Sequence, residues 1–214
     1  MNKLINKKLP KGKKVLGLRT VDKDRKAYGD FVWAAKGYVE AIDWQPTTKC
    51  GHGLHALIKG EGDGTLLASN SDDLWQVVEI LESEIIDLKG KGKFPRCNVL
   101  YTGKKDIAVK KIQSAYPEAI VVYGQATAGD NGQATAGNYG QATAGYYGQA
   151  TAGNYGKATA GDNGKATAGD YGILEISVLD GNRKRIVIGY IGEDGLKPNI
   201  NYKLNIDHIF TEVK

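Results

Sequence analysis

Gly124–Tyr171 reads GQATAGDN, GQATAGNY, GQATAGYY, GQATAGNY, GKATAGDN and GKATAGDY, six octads without interruption. A short, faithful period means one structural unit stacked on itself. The octads also alternate. Tyr123, Tyr139, Tyr155 and Tyr171 stand sixteen residues apart, while Asn131, Tyr147 and Asn163 close the other set. A sixteen-residue coil of two strands and two turns explains the alternation. Stacked coils make a flattened, two-sided parallel β-solenoid. Each strand is Gln125-Ala126-Thr127-Ala128 or a copy of it, and period-two alternation sets the alanines on one face and Gln/Thr on the other. The alanines are expected inside, where their small methyls let two sheets approach closely. The threonines Thr127, Thr135, Thr143, Thr151, Thr159 and Thr167 then form outward faces whose hydroxyls meet water. At about 4.8 Å per coil, three coils give a rod of roughly 14 Å. The turn glycines are expected to supply positive φ, with Asn and Asp next in tolerance.

Alternatives to a solenoid fit less well. Collagen needs glycine at every third position, and here the glycines are spaced by five and three. Gly-rich disorder is a compositional alternative, against which the in-phase tyrosines stand.

Outward from the array, the fold class is mixed α+β. Residues 1–118 form a small α+β domain with a basic N-terminal arm, 119–172 the solenoid, and 173–214 a C-terminal β-hairpin cap. In the first region Lys14–Arg19, Phe31–Trp33, Tyr38–Glu40, Leu74–Leu81 and Val99–Tyr101 read as strands, the fourth following a polar turn at Ser69–Asp73. Ile107, Ala108, Ile112, Ala115 and Tyr116 fit one helix face, with Asp106 near its start and Pro117 ending it. That helix and a strand at Ala119–Val122 are expected to cap the solenoid. Beyond the array, Ile173–Leu179 and Lys184–Tyr190 flank a turn at Asp180–Arg183, a hairpin signal. A final extended segment follows Pro198 and Tyr202.

The formal charge of the 214 residues is +5, concentrated early at Lys3, Lys7, Lys8, Lys11, Lys13 and Lys14. No aromatic residue interleaves with these lysines, so nucleic-acid binding has little support and a solvated arm is the simpler reading. The sequence offers no membrane span and no apolar leader, and two cysteines make no disulfide framework. A cytoplasmic location in a bacterial host cell is the expectation.

Chemistry-bearing residues cluster in DWQPTTKCGHGLHALIKGEGDG, Asp43–Gly64. Cys50, His52 and His55, with Cys97, are weak candidates for a zinc site because their spacing is loose. Cys50 and His55 are a weak nucleophile pair lacking an orienting carboxylate. Gly60–Gly64 lacks both phosphate-loop and EF-hand spacing and reads as a turn. KGKGKFPR, Lys89–Arg96, could hold a phosphate through backbone N–H groups and Arg96, though a plain surface loop is simpler. No resident cofactor or metal is expected, and the reading leans away from an enzyme.

Two resemblances add context. The octads resemble those of bacterial ice-nucleation proteins, which expose a Thr-x-Thr row where this chain has Gln-x-Thr or Lys-x-Thr. The order FVWAAKGYVEAIDW, CGHGLHALIKGEGDG, IIDLKGKGKFPR, octads and GYIGEDGLKPNINYKL resembles an uncharacterised bacterial and phage family with a Gly-Leu-His or Gly-Phe-His domain and a Gly-x-Asp-Gly-x-Lys-Pro tail. That resemblance implies Trp44, Cys50, Gly53, Leu54, His55, Gly60, Lys93, Phe94, Pro95 and Arg96 as characteristic positions, with His52 variable, and supplies no activity.

The leading expectation is a non-enzymatic binding or assembly protein. Its rod would position end domains that bind a host or phage protein partner or self-associate, with a role against host defence. The alternatives are a nucleotide-binding protein, or small transferase, using Trp44, His55, Lys93 and Arg96, and ice or surface binding by the threonine faces.

Overall fold

The computed structural model describes residues 7–27, 31–67 and 70–213. Lys3 of the basic arm and Ser69 of the expected turn lie outside them. The chain divides into two compact units, Met1–Ala119 and Ile120–Lys214.

The first unit is built on seven strands and one helix: β1 (Lys14–Val21), β2 (Gly37–Glu40), β3 (Leu54–Ile58), β4 (Leu74–Leu81), β5 (Ile86–Asp87), β6 (Gly92–Phe94), β7 (Arg96–Gly103) and α1 (Lys105–Ala115). The strands form one sheet in the order β2-β7-β4-β1-β3-β6-β5, every pair antiparallel. One face carries Val15, Trp33, Leu54, Val78, Ile80, Phe94, Cys97 and Val99 in a common core. By alternation Leu18, Leu57 and Val77 point to the other face and are also buried. α1 packs on β1, β4 and β7 through Ala108, Val109 and Ile112. It stops at Tyr116, before Pro117, as proline geometry demands. The Leu16 N–H donates to the Tyr116 hydroxyl at 2.7 Å, tying the helix end to β1.

Several local expectations change. Phe31–Trp33 is not a strand; it makes one isolated bridge, Lys26 to Val32. The reason is a tight loop at Asp22, whose carboxylate accepts from the Asp24 and Lys26 N–H groups. Residues 119–122 are turns, not a strand: Ala119 N–H donates to Tyr116 O and Gly124 N–H to Val121 O. The helix expected to cap the solenoid packs on the strands of the first unit. The stretch read as a loop, Lys89–Arg96, contains β6 and the start of β7.

The second unit contains the solenoid. Its strands are β8 (Gln125–Thr127), β9 (Gln133–Ala136), β10 (Gln141–Thr143), β11 (Gln149–Ala152), β12 (Lys157–Ala160) and β13 (Lys165–Ala168). Four more follow: β14 (Ile173–Asp180), β15 (Arg183–Tyr190), β16 (Tyr202–Leu204) and β17 (Phe210–Glu212). Two five-stranded sheets result, β15-β14-β12-β10-β8 and β17-β16-β13-β11-β9. Octad strands pair in parallel with a shift of one coil, so Ala142 meets Ala126 and Ala158, and Ala150 meets Ala134 and Ala166. The alanines do face inward; those from Ala134 onward are almost fully buried, Ala126 and Ala128 of the first octad are half-buried, and Leu174, Ile176, Leu196 and Tyr202 continue their core. The hairpin β14–β15 extends one sheet, with β14 still parallel to β12. The second sheet is closed by a further hairpin, β16–β17, whose β16 runs antiparallel to β13.

The turns work differently from expectation. The residue with positive φ is the eighth of each octad: Asn131, Tyr139, Tyr147, Tyr155, Asn163 and Tyr171, at +54° to +58°. The glycines serve close packing instead. A Cβ on Gly161 would lie 2.5 Å from the Gly145 carbonyl carbon in the coil before it. Seventh-position side chains stitch the turns together. Asn138 Oδ1 accepts from Asn154 N–H, and Asn154 Oδ1 from Asp170 N–H, both at 3.0 Å.

Candidate functional site

The threonine rows are the most regular surface of the chain. Register places Thr127, Thr143 and Thr159 in line on one sheet, and Thr135, Thr151 and Thr167 on the other. Each row repeats a hydroxyl and a methyl once per coil, about every 4.8 Å. The rows are open at their early ends, where Thr127, Thr135 and Thr143 are exposed. They close at the third coil. Thr159 Oγ1 lies 3.1 Å from Glu175 Oε2, which also holds Lys157 Nζ at 3.2 Å. Thr167 Oγ1 lies 3.3 Å from Asn201 Oδ1. The six threonines thus lie in two rows, and the last member of each is engaged by the C-terminal strands.

The residues proposed for a nucleotide pocket are brought together only in part. His55 on β3 and Lys93 on β6 are direct cross-strand partners. Lys93 is fully buried; its ammonium donates to Lys49 O at 2.8 Å and sits 5.7 Å from the centre of the Trp44 ring. Gly53 allows this packing, since a Cβ there would press on the Trp44 ring at 2.9 Å and on Lys93 Cγ at 3.1 Å. His55 has its Nε2 buried without a hydrogen-bond partner. Burial, then the charges of Lys91, Arg19 and Lys93, pushes its pKa down to about 4, so the ring is neutral at pH 7.

Arg96 belongs to a different wall. Its Nε lies 3.1 Å from both oxygens of Glu84, and Nη2 also binds Glu84, a bidentate pair. This pairing, above all, raises the guanidinium pKa further. Arg96 and Trp44 border a cavity of about 400 Å³ with Glu40, Glu84, Pro46 and Pro95. His55 and Lys93 do not line it. Lys7 Nζ binds Glu40 at its rim and, chiefly through that hydrogen bond, holds the Glu40 carboxyl below its usual range.

The zinc candidates are not assembled. Cys50 is exposed, its sulfur 3.2 Å from Lys91 Nζ. His52 Nδ1 lies 3.4 Å from Asp43 Oδ2. Cys97 is buried in the first unit's core, where burial pushes its thiol up to about 12. Among the described residues no three His, Cys, Asp or Glu side chains gather to hold a metal.

Sequence reasoning missed Arg19. It sits inside β1 at 8% exposure, its guanidinium stacked 3.4 Å from the Trp33 ring centre and donating to His55 O at 2.9 Å. Burial presses its pKa down. An arginine inside an otherwise apolar strand, KVLGLRTV, was the available signal.

About half of the chain has counterparts among known proteins. The chain is similar to ice nucleation proteins. It is 33% identical over 115 residues to the one from Xanthomonas campestris pv. translucens, covering 53% of this chain and 7% of that protein. It is 37% identical over 101 residues to InaU of Pantoea ananas, 46% of this chain and 10% of that protein. It is 35% identical over 94 residues to one from Pseudomonas syringae, 43% of this chain and 8% of that protein. The chain thus spans a tenth or less of the length of these relatives. No family model and no solved structure matches it. These matches agree with the resemblance of the octads and lend nothing to the phage family. They also overturn the expected cytoplasmic location, because ice nucleation proteins are displayed on the outer-membrane surface. Among the described residues no helix is long and apolar enough to cross a membrane.

Proposed function

We propose that this chain binds ice, or another regularly repeating surface, through its threonine rows. The observation that carries this reading is the in-register alignment of Thr127 with Thr143 and of Thr135 with Thr151 on two backbone-rigid sheets. A hydroxyl and a methyl held at a fixed repeat order adjacent water, and a β-ladder fixes that repeat without further cost in side-chain entropy. The similarity to ice nucleation proteins supports the same reading. The short array argues for adsorption over nucleation. A nucleating template must cover an embryo large enough to grow, whereas three coils offer a narrow strip that can pin a growing crystal.

The experiment is inhibition of ice recrystallisation, with ice-affinity partitioning as the second readout. Wild type is expected to partition into ice. Paired Thr127→Glu and Thr143→Glu should remove the contribution of one sheet, and Thr135→Glu with Thr151→Glu that of the other. Exclusion of wild type from ice defeats the reading.

A second reading, partner binding by the first unit, is supported by the cavity beside Trp44. Two carboxylates, Glu40 and Glu84, face Arg96 there, and the chain's own Lys7 engages Glu40. That charge balance suits a basic side chain from a protein partner better than a phosphate, since Arg96 is already held by Glu84. A thermal-shift comparison of Lys/Arg peptides with nucleotides discriminates: stabilisation by nucleotides alone returns the site to the nucleotide reading.

A further inference from the structure

Strand β15 is the outer edge of its sheet, and the charges that usually protect an edge are confined to one end of it. It is eight residues long, and among the described residues no strand pairs with its far side. Natural edges are blunted with proline, bulges or central charges. Here the centre is apolar and open: Ile186 is 60% exposed, and Ile188 and Tyr190 are each 49% exposed. Alternation puts all three on the face that also carries the threonines, because Tyr190 lies opposite Ile173 and Ile188 opposite Glu175, and Glu175 is itself aligned with Thr159.

The backbone direction follows from the hairpin. Asp180 and Arg183 flank a two-residue turn and form its closing pair. Hydrogen-bonded pairs then alternate, so Arg183, Arg185, Val187 and Gly189 address β14, as does Ile191, whose N–H donates to Gly172 O. Lys184, Ile186 and Ile188 direct both backbone groups outward. Tyr190 directs its N–H outward, while its carbonyl accepts from Glu193.

Charge is arranged along this edge as well. Arg183, Lys184 and Arg185, the last paired with Asp180, stand at one end, and the turn residues Glu193 and Asp194 follow the other. An edge that is basic at one end, apolar in the middle and acidic at the other complements itself when run antiparallel. From this we infer that β15 pairs with β15 of a second copy of this chain, across a two-fold axis perpendicular to the sheet. The register that sets Ile186 opposite the partner's Ile188 lays Lys184 beside the partner's Tyr190 and brings Arg183 toward the partner's Glu193. Outer face meets outer face in this arrangement. The five strands of each copy then join one continuous sheet, with both copies' threonine rows on the same side. The association stands on the edge itself and holds whatever the rows bind.

The test is sedimentation velocity of the full chain over a concentration series, with two variants. Wild type is expected to shift from monomer to dimer as concentration rises. Ile188→Lys places a charge at the centre of the edge and should weaken the dimer at least tenfold, with an unchanged circular dichroism spectrum. Arg183→Glu with Lys184→Glu should weaken it, and adding Glu193→Lys should restore part of the loss. A chain that stays monomeric throughout, or a dimer indifferent to Ile188→Lys, overturns the inference. Ice partitioning in the monomeric Ile188→Lys variant separates this result from the proposed function.

Discussion

Tyr139 and Tyr155 stack with ring centres 5.1 Å apart and planes 5° from parallel, while both residues hold a left-handed backbone. Tyr123 and Tyr171 extend the stack at 4.8 and 5.1 Å. A bulky residue in that conformation costs about 1–3 kcal/mol. Each offset aromatic contact returns about 0.5–1.5 kcal/mol beyond the area it buries. The stack therefore offsets part of the strain of its own turns.

Truncating Tyr155 separates these two effects. Tyr155→Ala loses both stacking contacts and keeps the strained backbone, so it should destabilise the second unit by about 1–3 kcal/mol. Tyr155→Gly loses the same contacts and relieves the strain, so its loss should be smaller. Urea unfolding followed by tyrosine fluorescence measures the order. If the alanine variant proves the more stable of the two, the strain assignment is wrong.

Glycines in the array divide by what surrounds them. Gly161→Ala drives a methyl into the carbonyl carbon of Gly145 and the amide of Tyr146. Because backbone cannot yield as a side-chain tip can, the cost should be about 3 kcal/mol, the upper end for overpacking. Gly129→Ala meets nothing within 4 Å and should fall within about 0.5 kcal/mol of wild type. Thermal melts of the two variants check the contrast.

His55 makes the first unit sensitive to acid. Its folded pKa of about 4 lies below the ordinary 6.5, so between these values the unfolded chain binds the extra proton. Stability is then full above pH 6.5 and falls as the pH drops toward 4. The half-exposed ring is partly screened, which reduces the loss to about 1–2 kcal/mol. Denaturant titrations at pH 7 and pH 4.5 should show this slope in wild type and a flatter one in His55→Gln.

Lys93 is a buried cation whose nearest partners are a carbonyl, a hydroxyl and a ring. Lys93→Met removes a desolvated charge and also the anchor of the Thr47–Lys49 segment. Global stability should change by less than about 1 kcal/mol. Limited proteolysis should nevertheless cut residues 44–53 faster. Unchanged cleavage would show that the loop is held by Trp44 packing instead.

The array was legible because its information is local and redundant. Ala-Thr-Ala fixes which face is inside, and the sixteen-residue tyrosine spacing fixes the coil. The turn chemistry was not legible, because the need for Gly161 comes from a neighbouring coil and not from its own φ. In the first unit, α1 and β4 could be read from helical spacing and a β-branched run. Gly92–Phe94 could not, because glycine and lysine disguise a strand whose lysine turns inward beneath a loop distant in sequence. The partial grouping of the four ligand candidates was illegible for the same reason. Proximity in KGKGKFPR says nothing of Glu84, which pairs with Arg96, or of sheet register, which joins His55 to Lys93.

The two-octad coil has a genetic consequence. Slippage during DNA copying adds or removes repeats one at a time, yet only an even change preserves parity. A single octad gained or lost would turn every downstream tyrosine to the opposite rim and present the closing hairpins to the wrong sheets. Viable length variants of this gene should therefore differ by multiples of forty-eight base pairs, three per residue of the sixteen-residue repeat.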